Sequence, residues 1–201
     1  MAPIRRGFTL VEVLVAISIL ALLATMAWQG VDAIARSRDR GQQQLDHTLR
    51  VATVIAQWDR DLQALQDVGV VPALAFDGAT LRLVRSTDAG AQLVAWSLHG
   101  DRWLRWAAPA VTQVRQLQDD WLRSQQLLGD EPGQLRLLDR VDSIQVYFYR
   151  GNGWSNAQSS GDQGAGDSAQ QREQLPTGVR LVLAINGQQL TRDLMLPVPS
   201  P

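Results

Sequence analysis

The chain contains no cysteine among its 201 residues. A disulfide framework is excluded, so an exported domain of this sequence must hold together by packing alone. Thiol catalysis and most structural zinc sites are excluded with it. Lysine is absent too: all 19 basic side chains are arginine, set against 20 acidic ones, for a formal net charge of −1. Such a balance gives no electrostatic basis for binding nucleic acid. Histidine occurs only at His47, on the polar side of a helix, and at His99, in a turn. Those two share no obvious site. There is no Gly-x-Ser-x-Gly elbow and no glycine-rich phosphate loop followed by lysine. The Gly161–Gly166 stretch lacks the strand-to-helix setting that a dinucleotide site requires.

The acids are equally unpromising as chemistry. Asp59 and Asp61 stand two apart on a helix and point to different faces, a poor carboxylate pair. Asp119-Asp120 and Asp130-Glu131 read as solvated acids, and Asp162, Asp167 and Glu173 do not follow the ligand spacing of an EF-hand. No nucleophile, metal or cofactor is nominated, so the expectation is a non-enzymatic protein that folds without either.

Proline is missing between Pro3 and Pro72, a gap that permits one long helix. Its start is unusual. A seven-residue basic leader, MAPIRRG, runs into the apolar stretch Phe8–Trp28, 21 residues broken by a single carboxylate, Glu12. At 1.5 Å per residue the stretch spans roughly 31 Å, the thickness of a bilayer's hydrocarbon core. A charge at the centre of such a helix costs roughly 2.5–3.5 kcal/mol, and somewhat less one turn from the end. An apolar residue would cost nothing there, so Glu12 is expected to have a partner within the membrane. Arg5 and Arg6 keep the start of the run in the cytoplasm, and everything after Trp28 then lies beyond the inner membrane. A cleaved secretory signal fits poorly. The apolar run is too long, it contains Glu12, and the Ala33-Ile34-Ala35 triplet falls beyond it, after Asp32. An uncleaved anchor with an incidental Glu12 is the blander alternative.

The segment GFTLVEVLVAISIL resembles the processing site of type IV prepilins and secretion pseudopilins, through Gly7, Phe8, Thr9, Leu10 and Glu12. The resemblance implies cleavage after Gly7 by a membrane prepilin peptidase, N-methylation of the new amino terminus at Phe8, and a role for Glu12 in subunit assembly. Removing the leader would leave 17 basic residues against 20 acidic ones.

Four regions follow: a leader at 1–7, a transmembrane segment at 8–28, a soluble continuation of the helix at 29–66, and a β-rich periplasmic domain at 67–201. In the continuation Ile34, Leu45, Leu49, Ala52, Ala56, Leu62 and Leu65 are largely spaced by three and four, one apolar stripe expected to pack inward. Gly30 and Gly41 are places where the helix could bend or fray. After Pro72 the period changes to two. Strands are expected at Thr80–Arg85, Gln92–Leu98, Arg102–Ala107, Ser143–Arg150, Val179–Ile185 and Gln189–Leu196, with turns at His99-Gly100-Asp101 and Asn186-Gly187. Val111–Leu128 is open between helix and loop. Among Trp96, Trp103 and Trp106, expected to form hairpin core, Trp103 is the one whose face is free to meet a partner. The Gly/Ser/Gln-rich segment 151–174 has one large apolar residue, Trp154, and reads as a solvated, flexible insertion. A long helix followed by strands is an α+β arrangement, a mostly antiparallel sheet packed against the helix.

The stretches QWDRDLQAL (57–65), VAWSLHGDRWLRWAAP, LLDRVDSIQVYFY and LPTGVRLVLAINGQQLTRDLMLP together look like the J-type minor pseudopilin of type II secretion systems. That resemblance implies a pseudopilin fold and a structural role at the tip of a periplasmic pseudopilus. The implied partners are minor pseudopilins of the I, K and H types and the inner-membrane assembly platform. A minor pilin of a type IV pilus, serving adhesion, motility or DNA uptake, is the second reading; the near-neutral charge disfavours DNA uptake. An anchored periplasmic enzyme is the third.

Overall fold

The computed structural model of the chain describes residues 9–156 and 175–196. The chain divides into two units, Met1–Arg50 and Val51–Pro201. Helix α1, Leu10–Gln63, contributes to both. It remains helical at Gly30 and Gly41, so neither glycine ends or interrupts it.

Within the first unit every described residue from Thr9 to Asp46 is exposed. The apolar stretch at its start is long and apolar enough to cross a membrane, and none of it is buried within the protein. Its two hydroxyls after Thr9 are satisfied inside the helix. Ser18 Oγ donates to the Leu14 carbonyl and Thr25 Oγ1 to that of Leu22, each at 2.8 Å. That suits a helix in lipid, where water cannot serve a stranded polar group.

The second unit holds the last turns of α1, a second helix and two antiparallel sheets. The first sheet is a meander of β1 (Leu74–Phe76), β2 (Thr80–Thr87), β3 (Gly90–His99), β4 (Arg102–Ala107) and β5 (Gln134–Leu138), adjacent in that order. Helix α2 (Val114–Ser124) lies in the connection from β4 to β5 and resolves the ambiguity of 111–128. The second sheet comprises β6 (Val141–Arg150), β7 (Gly153–Asn156), β8 (Gly178–Ile185) and β9 (Gln188–Met195), in the spatial order β7-β6-β8-β9. The expected α+β class holds, with two sheets where one was expected. Asn186 and Gly187 both have positive φ, 50° and 74°, as a two-residue turn between β8 and β9 requires.

Several boundaries differ from expectation for physical reasons. The helix ends at Gln63 rather than Gln66 because the chain leaves it to pair with β2. Gln66 N donates to the Val84 carbonyl and Ser86 N to that of Ala64. The segment read as a solvated insertion opens with strand β7, whose Trp154 stacks edge-on against Tyr149, ring centroids 5.2 Å apart. The rest of it, with Asp162, Asp167 and Glu173, lies outside the described residues.

The apolar stripe is the larger correction. Ile34, Leu45, Leu49, Ala52 and Ala56 are exposed. The face that packs inward carries Val54, Trp58 and Leu62, flanked by Val51, Ile55 and Leu65. Thus α1 has apolar residues on two sides, and the bulkier set is buried. Trp58 meets Trp96 of β3 and Trp103 of β4 in a ring cluster with centroids 4.9–5.6 Å apart. Trp103 is completely buried there, so it offers no face to a partner.

Its burial follows from the coverage of the first sheet. One face joins α1 and the second sheet in a core that includes Leu83, Trp96, Val146 and Leu181. The other face packs Val84, Leu93, Ala95 and Trp106 under Leu117 of α2. Strand β4 is therefore buried at four consecutive positions, Trp103 to Trp106, while β8 in the second sheet alternates. Close approach fixes the β2–β3 turn: Gly90 has φ 125°, and a Cβ there would stand 2.5 Å from the Val111 carbonyl oxygen.

Candidate assembly elements on the N-terminal helix

Gly7 and Phe8 lie outside the described residues. Glu12 is in the first turn of α1 and already has a partner that sequence reasoning passed over. Thr9 is the N-cap: its backbone N and Oγ1 both donate to Glu12 Oε2, at 2.9 and 2.8 Å. In return Glu12 N donates to Thr9 Oγ1 at 3.3 Å. Thr9-x-x-Glu12 is a capping box, which satisfies otherwise stranded N–H groups at a helix start. The signal was legible as Ser/Thr-x-x-Glu/Gln ahead of an apolar run. Glu12 therefore serves its own chain first, and among the described residues its carboxylate bonds through Oε2 alone.

At the other end of α1 the acids read as a poor pair do point apart, but each has a structural task. Asp61 is completely buried and accepts five hydrogen bonds. Arg105 of β4 donates through Nε at 2.7 Å and Nη2 at 3.0 Å, Arg85 of β2 through Nη1 at 2.8 Å, and Trp96 through Nε1 at 2.9 Å. Gln57, one helical turn earlier, completes the set at 3.0 Å. A carboxylate has about four lone-pair sites, so this one is saturated. Arg85 is itself held by Gln92 Oε1 at 2.9 Å, and Gln92 donates to the Ala108 carbonyl at 2.7 Å.

Two residues earlier, Asp59 reaches the second sheet instead. Its Oδ2 accepts from Arg192 of β9, through Nη2 at 2.6 Å and Nε at 3.1 Å. At about 100° per residue, positions two apart diverge by about 160°, which is why one helix turn can address both sheets. The pattern Asp-x-Asp next to a tryptophan gives no hint of this, because the cations come from β2, β4 and β9.

The remaining candidates stay apart. His47 is half-buried on α1 and His99 exposed at the β3–β4 turn. Asp120, read as solvated, is a buried residue of α2 with Arg123 3.5 Å away, and burial raises its carboxyl above the usual range. Glu131 accepts backbone N–H groups from Leu128 and Gly129 and organises a loop. Among the described residues no group of three His, Cys, Asp or Glu side chains is placed to hold a metal.

An amino-terminal helix with an unburied apolar stretch, a capped Glu12 and a β-rich domain built on its last turns defines a prepilin-like subunit. Residues 3–28 match the profile of the prokaryotic N-terminal methylation motif. Residues 29–196 match the profile of type II secretion system protein J, and the chain belongs to that family. It is a minor pseudopilin of the type II secretion system, a structural subunit that acts with other pseudopilins and the secretion machinery. No curated protein gave a significant match to the chain.

Proposed function

We propose that the protein is made as a prepilin, cut after Gly7, N-methylated on Phe8, and assembled through its helix at the tip of a pseudopilus that exports folded proteins across the outer membrane. The family match over residues 29–196 carries this reading, because it covers the whole described soluble domain and α1 beyond the apolar stretch. The domain then stands in the periplasm, with Arg5 and Arg6 holding the leader in the cytoplasm. Its partners are minor pseudopilins of the I, K and H types, beside the prepilin peptidase and the inner-membrane platform.

Two features of α1 support assembly through the helix. The stretch Leu10–Trp28 buries nothing within the protein, so lipid or neighbouring helices must cover it. Farther along, Ile34, Leu45, Leu49, Ala52 and Ala56 remain exposed at helical spacing. Small and branched apolar residues in such a row suit the seat of a second helix. Intact mass and amino-terminal sequencing of protein from native membranes test processing. The expected mature chain begins at methylated Phe8; one still carrying Met1, or beginning after Ala35, overturns the proposal.

A further inference from the structure

The last turns of α1 carry apolar residues on opposite sides. Val54, Trp58 and Leu62 are buried, and Ala52 and Ala56 are exposed. Hydrophobic burial is non-directional, so the pattern alone discriminates weakly between rotations of the helix. Residue volume favours burying Trp58. The directional contacts are polar: Asp61 to Arg85, Arg105 and Trp96 on the first sheet, and Asp59 to Arg192 on the second. Turning the Ala52–Ala56 side inward would carry Asp61 outward and leave the largely buried Arg105 guanidinium without its anion, an expensive arrangement.

We infer that Asp59 and Asp61 form a two-sided clamp that fixes the rotation of α1 on its domain, and so decides which side of the helix is left open to a neighbouring subunit. Both are positioning residues. The inference deepens the proposed assembly role and rests on it only for the identity of the neighbour.

Because the native chain has no cysteine, single cysteine substitutions report the rotation cleanly in the full-length protein in membranes. The thiol of an Ala52→Cys or Ala56→Cys variant should react with a maleimide at least about tenfold faster than that of Ile55→Cys, at a half-buried position, since protection follows burial. In an Asp61→Asn, Arg85→Gln, Arg105→Gln background, which removes the charges but keeps polar side chains, that contrast should collapse while cooperative melting persists. An unchanged contrast overturns the clamp. If the triple variant does not fold, the exposed arm decides. Arg192→Gln should reduce the contrast, and the exchange Asp59→Arg with Arg192→Asp should restore it; an unchanged contrast in Arg192→Gln, or a contrast still reduced in the exchange, overturns the clamp. The neighbour is read separately. Failure of the Ala52→Cys and Ala56→Cys variants to cross-link to another pseudopilin would sink the docking of a helix there and leave the clamp standing.

Discussion

The two ends of α1 use apolar side chains in opposite ways. From Leu10 to Trp28 they are exposed on every side of the helix, whereas from Val51 to Leu62 one side is buried against tryptophans and both sheets. Polar groups differ in the same sense. At the start Glu12, Ser18 and Thr25 bond within their own turn of helix; near the end Asp59 and Asp61 bond to strands far away in sequence. A segment destined for lipid must satisfy itself locally, while one that anchors a domain is specified by what it touches.

That contrast can be broken most forcefully at Trp58. Trp58→Ala should destabilise the domain by about 3–5 kcal/mol, because the cavity opens among Trp96, Trp103 and Leu62. Membrane insertion of the full chain should be unaffected. Denaturant unfolding, paired with alkaline extraction of membranes, checks both halves. Asp61→Ala should cost a comparable or slightly smaller amount, about 3–5 kcal/mol, since it strands buried cations rather than merely removing an attraction. Asp61→Leu paired with Arg105→Met should recover part of that loss.

A smaller effect is expected at Arg82, which anchors α2. Its Nε and Nη2 donate to the Ser124 carbonyl at 3.3 and 3.2 Å, and its Nη1 to Asp77 at 2.6 Å. Arg82→Gln should cost about 1–2 kcal/mol at neutral pH, mostly from the carbonyl contacts, because Asp77 is half-exposed and screened. Burial pushes the Asp77 carboxyl up, but the bond from Arg82 and the backbone N–H groups of Ala79 and Thr80 outweigh it and hold it below the usual range. A depressed carboxyl stabilises fully above its unfolded pKa and loses that contribution as pH falls through the folded one. The gap between wild type and Arg82→Gln should therefore narrow below about pH 4. Unfolding curves across that range test it, and a gap that widens would exclude the mechanism.

The smallest effect on domain stability, and the sharpest on function, is expected at Glu12. Glu12→Ala removes the charge and the carboxylate half of the capping box, leaving Thr9 Oγ1 to accept from the N–H of residue 12, while Glu12→Gln keeps the box and removes only the charge. Both variants should insert and fold. If charge serves assembly, as proposed, secretion and partner cross-links fall in both. If only Glu12→Ala is impaired, Glu12 acts through its cap to Thr9, and if neither is, it is not an assembly residue.

Much of this protein was legible before its fold. The proline gap and the apolar run announced α1 and its membrane stretch, and period-two patterning located β2, β3, β4, β6, β8 and β9 within a residue or two. Strands β1 and β7 escaped because three or four residues carry too little pattern, and β5 because Gln134–Leu138 alternates over only four residues before Leu138 breaks the period. These are local properties, set by backbone sterics and by the spacing of apolar residues along one segment. The capping box was local too and could have been read.

What only the tertiary structure decided concerns partners distant in the chain. Nothing near Trp103 foretells that α2 covers the far side of its sheet, which is why β4 is buried on both faces rather than offering one to solvent. The stripe of Leu45, Leu49, Ala52 and Ala56 satisfies helical periodicity as well as the buried one does. The outcome turned on the larger volume of Trp58 and on arginines supplied from 24 and 44 residues away to meet Asp61. Periodicity records that a helix has an apolar side. Which side faces inward is settled by shape and by charges that meet only once the sheets have formed.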